Sequence, residues 1–119
     1  MGLGGWLAGV TTVGEWIQVD ILSTAYIYRV DTQGRNYLNY RQWTKTYKLK
    51  YSLTSEESSF EYVTSSPGGS VMTFDGNYDA DTVVGNEFPP HLTRFVRLYP
   101  QTWQGHIALR WEVYGCADG

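Results

Sequence analysis

Apolar residues recur at every second position in several short runs of this chain, and polar residues fill the positions between them. In Trp16 to Ile21 the side chains of Ile17, Val19 and Ile21 fall on one face, opposite Gln18 and Asp20. In Thr46 to Ser52 the apolar set is Tyr47, Leu49 and Tyr51, with Lys48 and Lys50 on the other side. The last run places Ile107, Leu109, Trp111 and Val113 together, opposite Ala108, Arg110, Glu112 and Tyr114. A period of two is what a strand with one buried face requires. Further short strands are predicted near Ala25 to Thr32, Phe60 to Val63, Val71 to Phe74 and Arg94 to Tyr99. No window of about eleven residues repeats with the helical period.

Turn-forming residues separate these runs at Ser65-Ser66-Pro67-Gly68-Gly69, at Asp75-Gly76-Asn77 and at Pro89-Pro90. Short strands punctuated in this way predict an all-β fold, an antiparallel β-sandwich. Composition points the same way: ten Tyr, five Trp and four Phe accompany thirteen Gly, the balance of aromatic strands broken by tight turns. The 119 residues suit a single domain over 1–119. No apolar run approaches the ~18 residues of a membrane span. The first residues lack the regions of a signal peptide, and Met1-Gly2-Leu3-Gly4-Gly5 reads as an artificial or mis-assigned start.

The net charge of −3 conceals an uneven distribution. From Arg29 to Lys50 the bases are Arg29, Arg35, Arg41, Lys45, Lys48 and Lys50, against Asp31 alone; from Tyr51 to Thr93 there are seven acids and neither Lys nor Arg. Charge on solvated strand faces explains such a division, and so does a basic collar that attracts an anionic surface. The overall acidity disfavours nucleic acid as a partner. A catalytic set is not recognisable among two His, one Cys and scattered Ser, so no enzyme, cofactor or metal is expected. Asp75, Asn77, Asp79 and Asp81 offer alternating oxygens, but Ala80 stands where a calcium loop needs Gly and Asn86 where it needs Glu, so the segment reads as a turn.

Four segments, taken together and in order, carry a resemblance. They are Trp16-Ile17-Gln18-Val19-Asp20-Ile21; Thr32-Gln33-Gly34-Arg35; Phe74-Asp75-Gly76-Asn77 followed by Asn86-Glu87-Phe88-Pro89-Pro90; and Arg94 to Trp103 followed by Ile107-Ala108-Leu109-Arg110-Trp111-Glu112-Val113-Tyr114-Gly115-Cys116. This pattern resembles the discoidin domain, also called the coagulation factor V/VIII type C domain, from about residue 6 to 116. The resemblance implies a jelly-roll-like, galactose-binding-domain-like β-sandwich. Family members begin with a first strand and a Cys that pairs with the one matching Cys116, so the resemblance implies either that this N-terminal strand is missing here or that this version dispenses with the bridge. Cys116 is the single Cys of the chain, which leaves it free or available to cross-link two chains.

In the family a rigid sandwich presents recognition loops at one end. The resemblance places a first loop over Trp6 to Gly14, with Trp6, Leu7, Val10, Thr11, Thr12 and Val13 as candidate ligand contacts. A second runs from Arg35 to Trp43, with Arg35, Asn36, Tyr37, Leu38, Asn39, Tyr40 and Arg41; Gln104 and His106 form a third element. Apolar tips ringed by cations suit an anionic phospholipid surface, whereas Tyr, Asn and Arg equally suit stacking and hydrogen bonding to a cell-surface glycan. The plainer reading is that Tyr37, Tyr40 and Trp43 pack the loop against the sandwich. Collagen, through Arg35, or a receptor protein is the alternative partner, and a structural spacer is another. The expectation is therefore a non-enzymatic extracellular adhesion or recognition module.

Overall fold

The computed structural model describes residues 2–7, 14–37, 40–105 and 107–117. Eight strands form: β1 (Gly2–Leu7), β2 (Ile17–Gln33), β3 (Arg35–Tyr37), β4 (Tyr40–Ser52), β5 (Glu61–Tyr62), β6 (Phe74–Asp75), β7 (Val84–Gln104) and β8 (Ala108–Ala117). Neighbours follow the order β1-β8-β2-β7-β4-β3, with β5 and β6 on β4, and the paired strands run antiparallel. The predicted all-β, antiparallel architecture is thus the one observed, with a single 3-10 turn at Glu57–Ser59 among the described residues.

Two strands are longer than the sequence pattern predicts, because breaks between the predicted runs are bulges. β2 unites the runs at 17–21 and 25–32 through a register shift between Asp20 and Ala25. There Leu22 adopts φ 72°, and its N–H donates to Asp20 Oδ1 at 2.8 Å. The Asp20 carboxylate also accepts from Arg94 Nε and Nη2 at 3.0 and 3.1 Å, so one side chain braces the bulge from both strands. A bulge bends and twists its strand. Beyond this one, β7 changes partners: residues 84–93 pair with β2 alone, whereas Val96 and Leu98 pair with Val19 and Ile17 on one side and with Tyr51 and Leu49 of β4 on the other.

Pro89-Pro90, predicted to be a turn, lies inside β7. It faces the second break in β2, where Ile27 opposes His91 and Arg29 opposes Glu87. Proline has no N–H for a ladder, and a bulge at a sheet edge is where that loss is tolerated. Trp6 and Leu7, expected to open a loop, lie instead in a strand. This is β1, in which they oppose Leu109 and Ala108.

The core collects the predicted inward faces. Val19, Ile27, Val30, Tyr47, Leu49, Val96, Leu98, Leu109, Trp111 and Val113 are buried together with Phe74 and Phe88. Each such side chain, fully removed from water, contributes about 1.5–3 kcal/mol before entropy opposes it. Two positions depart from the alternation. Ala108, expected outward, is buried where β4 closes over β8 and Thr44 Oγ1 donates to Ala108 O at 3.1 Å. Tyr51 is only half-buried while Ser52 is buried, because Thr93 Oγ1 accepts from Ser52 N–H and donates to Ser52 O.

Candidate recognition end

One end of the fold gathers segments from four parts of the chain. β3 and β4 pair from Arg35 opposite Gln42 to Tyr37 opposite Tyr40, so the second predicted loop is a β-hairpin. Gln104 closes β7 opposite Trp43, and β1 reaches the same end at Leu7, opposite Ala108. Gly34 joins β2 to the hairpin at a close approach. A Cβ there would lie 2.7 Å from Gln42 O, 2.8 Å from Trp43 Cβ and 2.9 Å from Ala80 Cα. Only a residue without a side chain fits, which accounts for the Gln33-Gly34-Arg35 pattern. Arg110 Nε donates to Gly34 O at 3.3 Å and ties this corner to β8.

The fourth segment is the acidic turn 75–83, and it is built from the oxygens that resembled a calcium loop. Asp79 accepts from Thr82 N–H at 2.7 Å, Thr82 Oγ1 at 2.8 Å and Asp81 N–H at 3.0 Å. These bonds, led by that from the Thr82 N–H, hold the Asp79 carboxyl below the usual carboxylate range. Asn77 is buried, and its Nδ2 donates to Thr32 O and Thr82 O while its N–H donates to Thr44 O. The turn is therefore pinned to both β2 and β4. Among the described residues no group of three or more His, Cys, Asp and Glu is placed to hold a metal ion.

That turn reaches the hairpin. Asp81 O accepts from Gln33 Nε2 at 2.7 Å, and Asp81 Oδ2 pairs with Arg41 Nη2 at 3.3 Å. Farther along the sheet Arg29 pairs with Asp31 at 2.7 Å and lies 3.8 Å from Glu87. Two bases of the supposed collar are thus matched by carboxylates: Arg41 by the distant Asp81, and Arg29 by its near neighbour Asp31 with Glu87 beyond. Beside the hairpin lies a cleft of about 540 Å3 lined by Trp43, Lys45, Asp75, Tyr78 and Gln104. Tyr78 is 68% exposed and Trp43 half-buried, so two aromatic surfaces stand beside a cation, a carboxylate and an amide.

Of the predicted contacts, Arg35, Arg41 and Gln104 belong to this end, as do the backbones of Asn36, Tyr37 and Tyr40 in the hairpin. Trp6 and Leu7 lie in a strand. Val10, Thr11, Thr12, Val13, Leu38, Asn39 and His106 fall outside the described residues. Sequence reasoning missed Tyr78 and Asp81. The available signal was an aromatic residue set between turn formers, Asn77-Tyr78-Asp79, where no core position demands one.

The architecture defines a loop-presenting β-sandwich. The chain belongs to the F5/8 type C domain family, whose model matches residues 2–113. It is 40% identical to neuropilin-1 of Xenopus laevis over 115 residues, covering 94% of this chain and 12% of that protein. It is 38% identical to human coagulation factor VIII over 112 residues, covering 93% of this chain and 5% of that protein. Among solved structures it is similar to discoidin II of Dictyostelium discoideum, with a TM-score of 0.81 and 28% identity over 97% of this chain and 42% of that one. The chain therefore spans a small part of the curated relatives it matches.

Proposed function

We propose that the protein is a non-enzymatic extracellular recognition module that binds cell-surface glycan at the end formed by the 35–42 hairpin, the 75–83 turn and Gln104. The observation that carries this reading is the cleft of Trp43, Tyr78, Lys45, Asp75 and Gln104 beside the hairpin. A sugar ring presents an apolar face for an aromatic side chain and a rim of hydroxyls that need both donors and acceptors. Lys45 and Gln104 supply donors, Asp75 and Gln104 acceptors. Anionic phospholipid is less favoured, because Arg41 and Arg29 already face Asp81, Asp31 and Glu87, and this lowers the positive potential such a surface requires. The extracellular setting is supported by membership of a family that includes segments of neuropilin-1 and factor VIII.

The test is a glycan array run beside sedimentation with phosphatidylserine liposomes. Binding to a glycan that Tyr78→Ala abolishes, with no liposome binding, supports the reading. Sedimentation with liposomes that falls steeply with salt, and an empty array, replaces glycan with lipid. Failure on both surfaces leaves a protein partner, collagen or a receptor, as the ligand of this end.

A further inference from the structure

Among the described residues Leu22 alone, other than glycines, has a positive φ, and its side chain is 76% exposed, more than any other large apolar side chain described. A leucine in that region of backbone is strained, whereas glycine occupies it freely. The bulge itself uses only the Leu22 N–H, which the Asp20 carboxylate accepts. Backbone strain and apolar exposure both oppose folding, so the fold gains nothing from a large side chain here. An outlier that its surroundings hold in place points to a role outside the fold.

Beside this knob is a hole. Ile21, Ser23, Ala25 and Ile27 of β2, with Val113 and Gly115 of β8, line a recess of about 130 Å3. Ile27 and Val113 are buried while Ser23 and Gly115 are exposed, so the recess leads from the surface down to the core. An apolar cavity of about 150 Å3 takes a benzene molecule, so one of this size takes a branched aliphatic side chain. Leu22 stands in the chain between two of the lining residues and is not part of the lining. The knob therefore does not fill the hole beside it.

Shape and charge together select the occupant. Knob and hole are neighbours on one patch, so a two-fold axis through that patch seats the Leu22 of each copy in the recess of the other. A lipid surface would cover the knob and make no use of the hole. Each copy carries a net charge of −3, yet residues 21–28 and 113–117 contain no Asp, Glu, Lys or Arg. The neighbouring Asp20 is matched by Arg94 at 3.0 and 3.1 Å. Two negative copies therefore meet here without bringing like charges together. We infer that this patch is a homodimer interface in which two copies exchange their Leu22 side chains. Seven residues of β8 separate Gly115 from Ala108 at the recognition end, about 23 Å of extended chain. The dimer thus leaves both recognition ends uncovered, and a surface that displays many ligands is held with avidity.

The experiment is sedimentation equilibrium of the protein from about 1 μM to about 1 mM, in reductant so that Cys116 forms no interchain disulfide. The expected result is a mass that rises from that of one chain to that of two. Leu22→Gly, which keeps the N–H donated to Asp20, and Ala25→Leu, which fills the recess from within, each weaken association about tenfold or more. Relief of the positive φ leaves the thermal midpoint of dilute Leu22→Gly no lower than that of wild type. The two variants act on opposite halves of the contact, so the result does not depend on one substitution. The mass of a single chain up to about 1 mM overturns the proposal, and so does association that both variants leave unchanged. A chain that stays monomeric yet sediments with phosphatidylcholine vesicles, and loses this in Leu22→Gly, gives the knob to a membrane and overturns it as well. None of these outcomes depends on the ligand of the hairpin end.

Discussion

The guanidinium carbon of Arg97 lies 3.9 Å from the centre of the Trp16 ring, and the opposite face of the same cation meets Phe60 at 3.8 Å. A buried charge is tolerated only when it is fully partnered. Here Gln18 Oε1 at 2.8 Å, Glu57 Oε2 at 2.7 Å and Tyr99 Oη at 3.3 Å supply the hydrogen bonds. Arg97→Ala removes both ring contacts and opens a cavity between the start of β2 and the 3-10 turn. Its expected loss is about 2–4 kcal/mol, read as a lowered denaturation midpoint at unchanged slope. A loss below about 0.5 kcal/mol shows the stack to be ornamental.

Trp111 is fully enclosed, yet its Nε1 has no hydrogen-bond partner among the described residues. Trp111→Ala is therefore expected to cost about 3–5 kcal/mol, enough to unfold a marginally stable protein. Trp111→Phe should be much milder, because it removes a donor that is not bonded along with part of a ring. Equal damage from both variants, measured by thermal melting, means that Nε1 does have a partner.

Stability should fall in acid below about pH 4. Hydrogen bonds from Arg94 and from the Leu22 N–H hold the Asp20 carboxyl below its ordinary value. A carboxyl depressed in the folded state contributes stability above its unfolded pKa, and that contribution disappears as pH falls through the folded value. Asp20→Asn should accordingly melt below wild type at neutral pH and converge with it in acid. A gap that stays constant from neutral pH to about pH 3 assigns the acid sensitivity to other groups.

Tyr37→Ala combined with Leu38→Ala should abolish glycan binding. Stability should change by no more than about 0.5 kcal/mol, whereas an interface anchor is worth about 2 kcal/mol or more. Early melting of the double variant would mean that these residues pack the fold. Full stability with full binding moves the site to the Trp43–Tyr78 cleft alone.

Cys116 is exposed on β8, opposite Tyr26 of β2. It should react with a thiol reagent in the native protein, or appear as an interchain disulfide on a non-reducing gel. A thiol that stays inert until denaturant is added contradicts this exposure.

Strand identity was legible wherever one face is apolar, as in Ile107 to Val113, because burial enforces the period directly. Continuity was not. Leu22 and Pro89-Pro90 look like stops in the sequence, yet a carboxylate brace from Asp20 and a facing bulge carry the strands through them. The resemblance to a recognition loop marked out the stretch from Arg35 to Trp43, and the pairing of Arg35 with Gln42 makes it a hairpin. The role of the acidic turn stayed hidden, because the pairing of Arg41 with Asp81 spans forty positions and no local pattern encodes it.

The passage of β2 and β7 through both halves of the sandwich has a consequence for how the molecule comes apart. Neither layer owns a complete set of strands, so opening one tears hydrogen bonds in the other. Amide exchange at Val30 near the hairpin and at Val96 beyond the bulge should then report the same opening free energy, and calorimetry should show one transition. A ligand that grips only the hairpin will raise the protection of amides at the opposite end as well, because mass action on a single cooperative unit reaches every part of it.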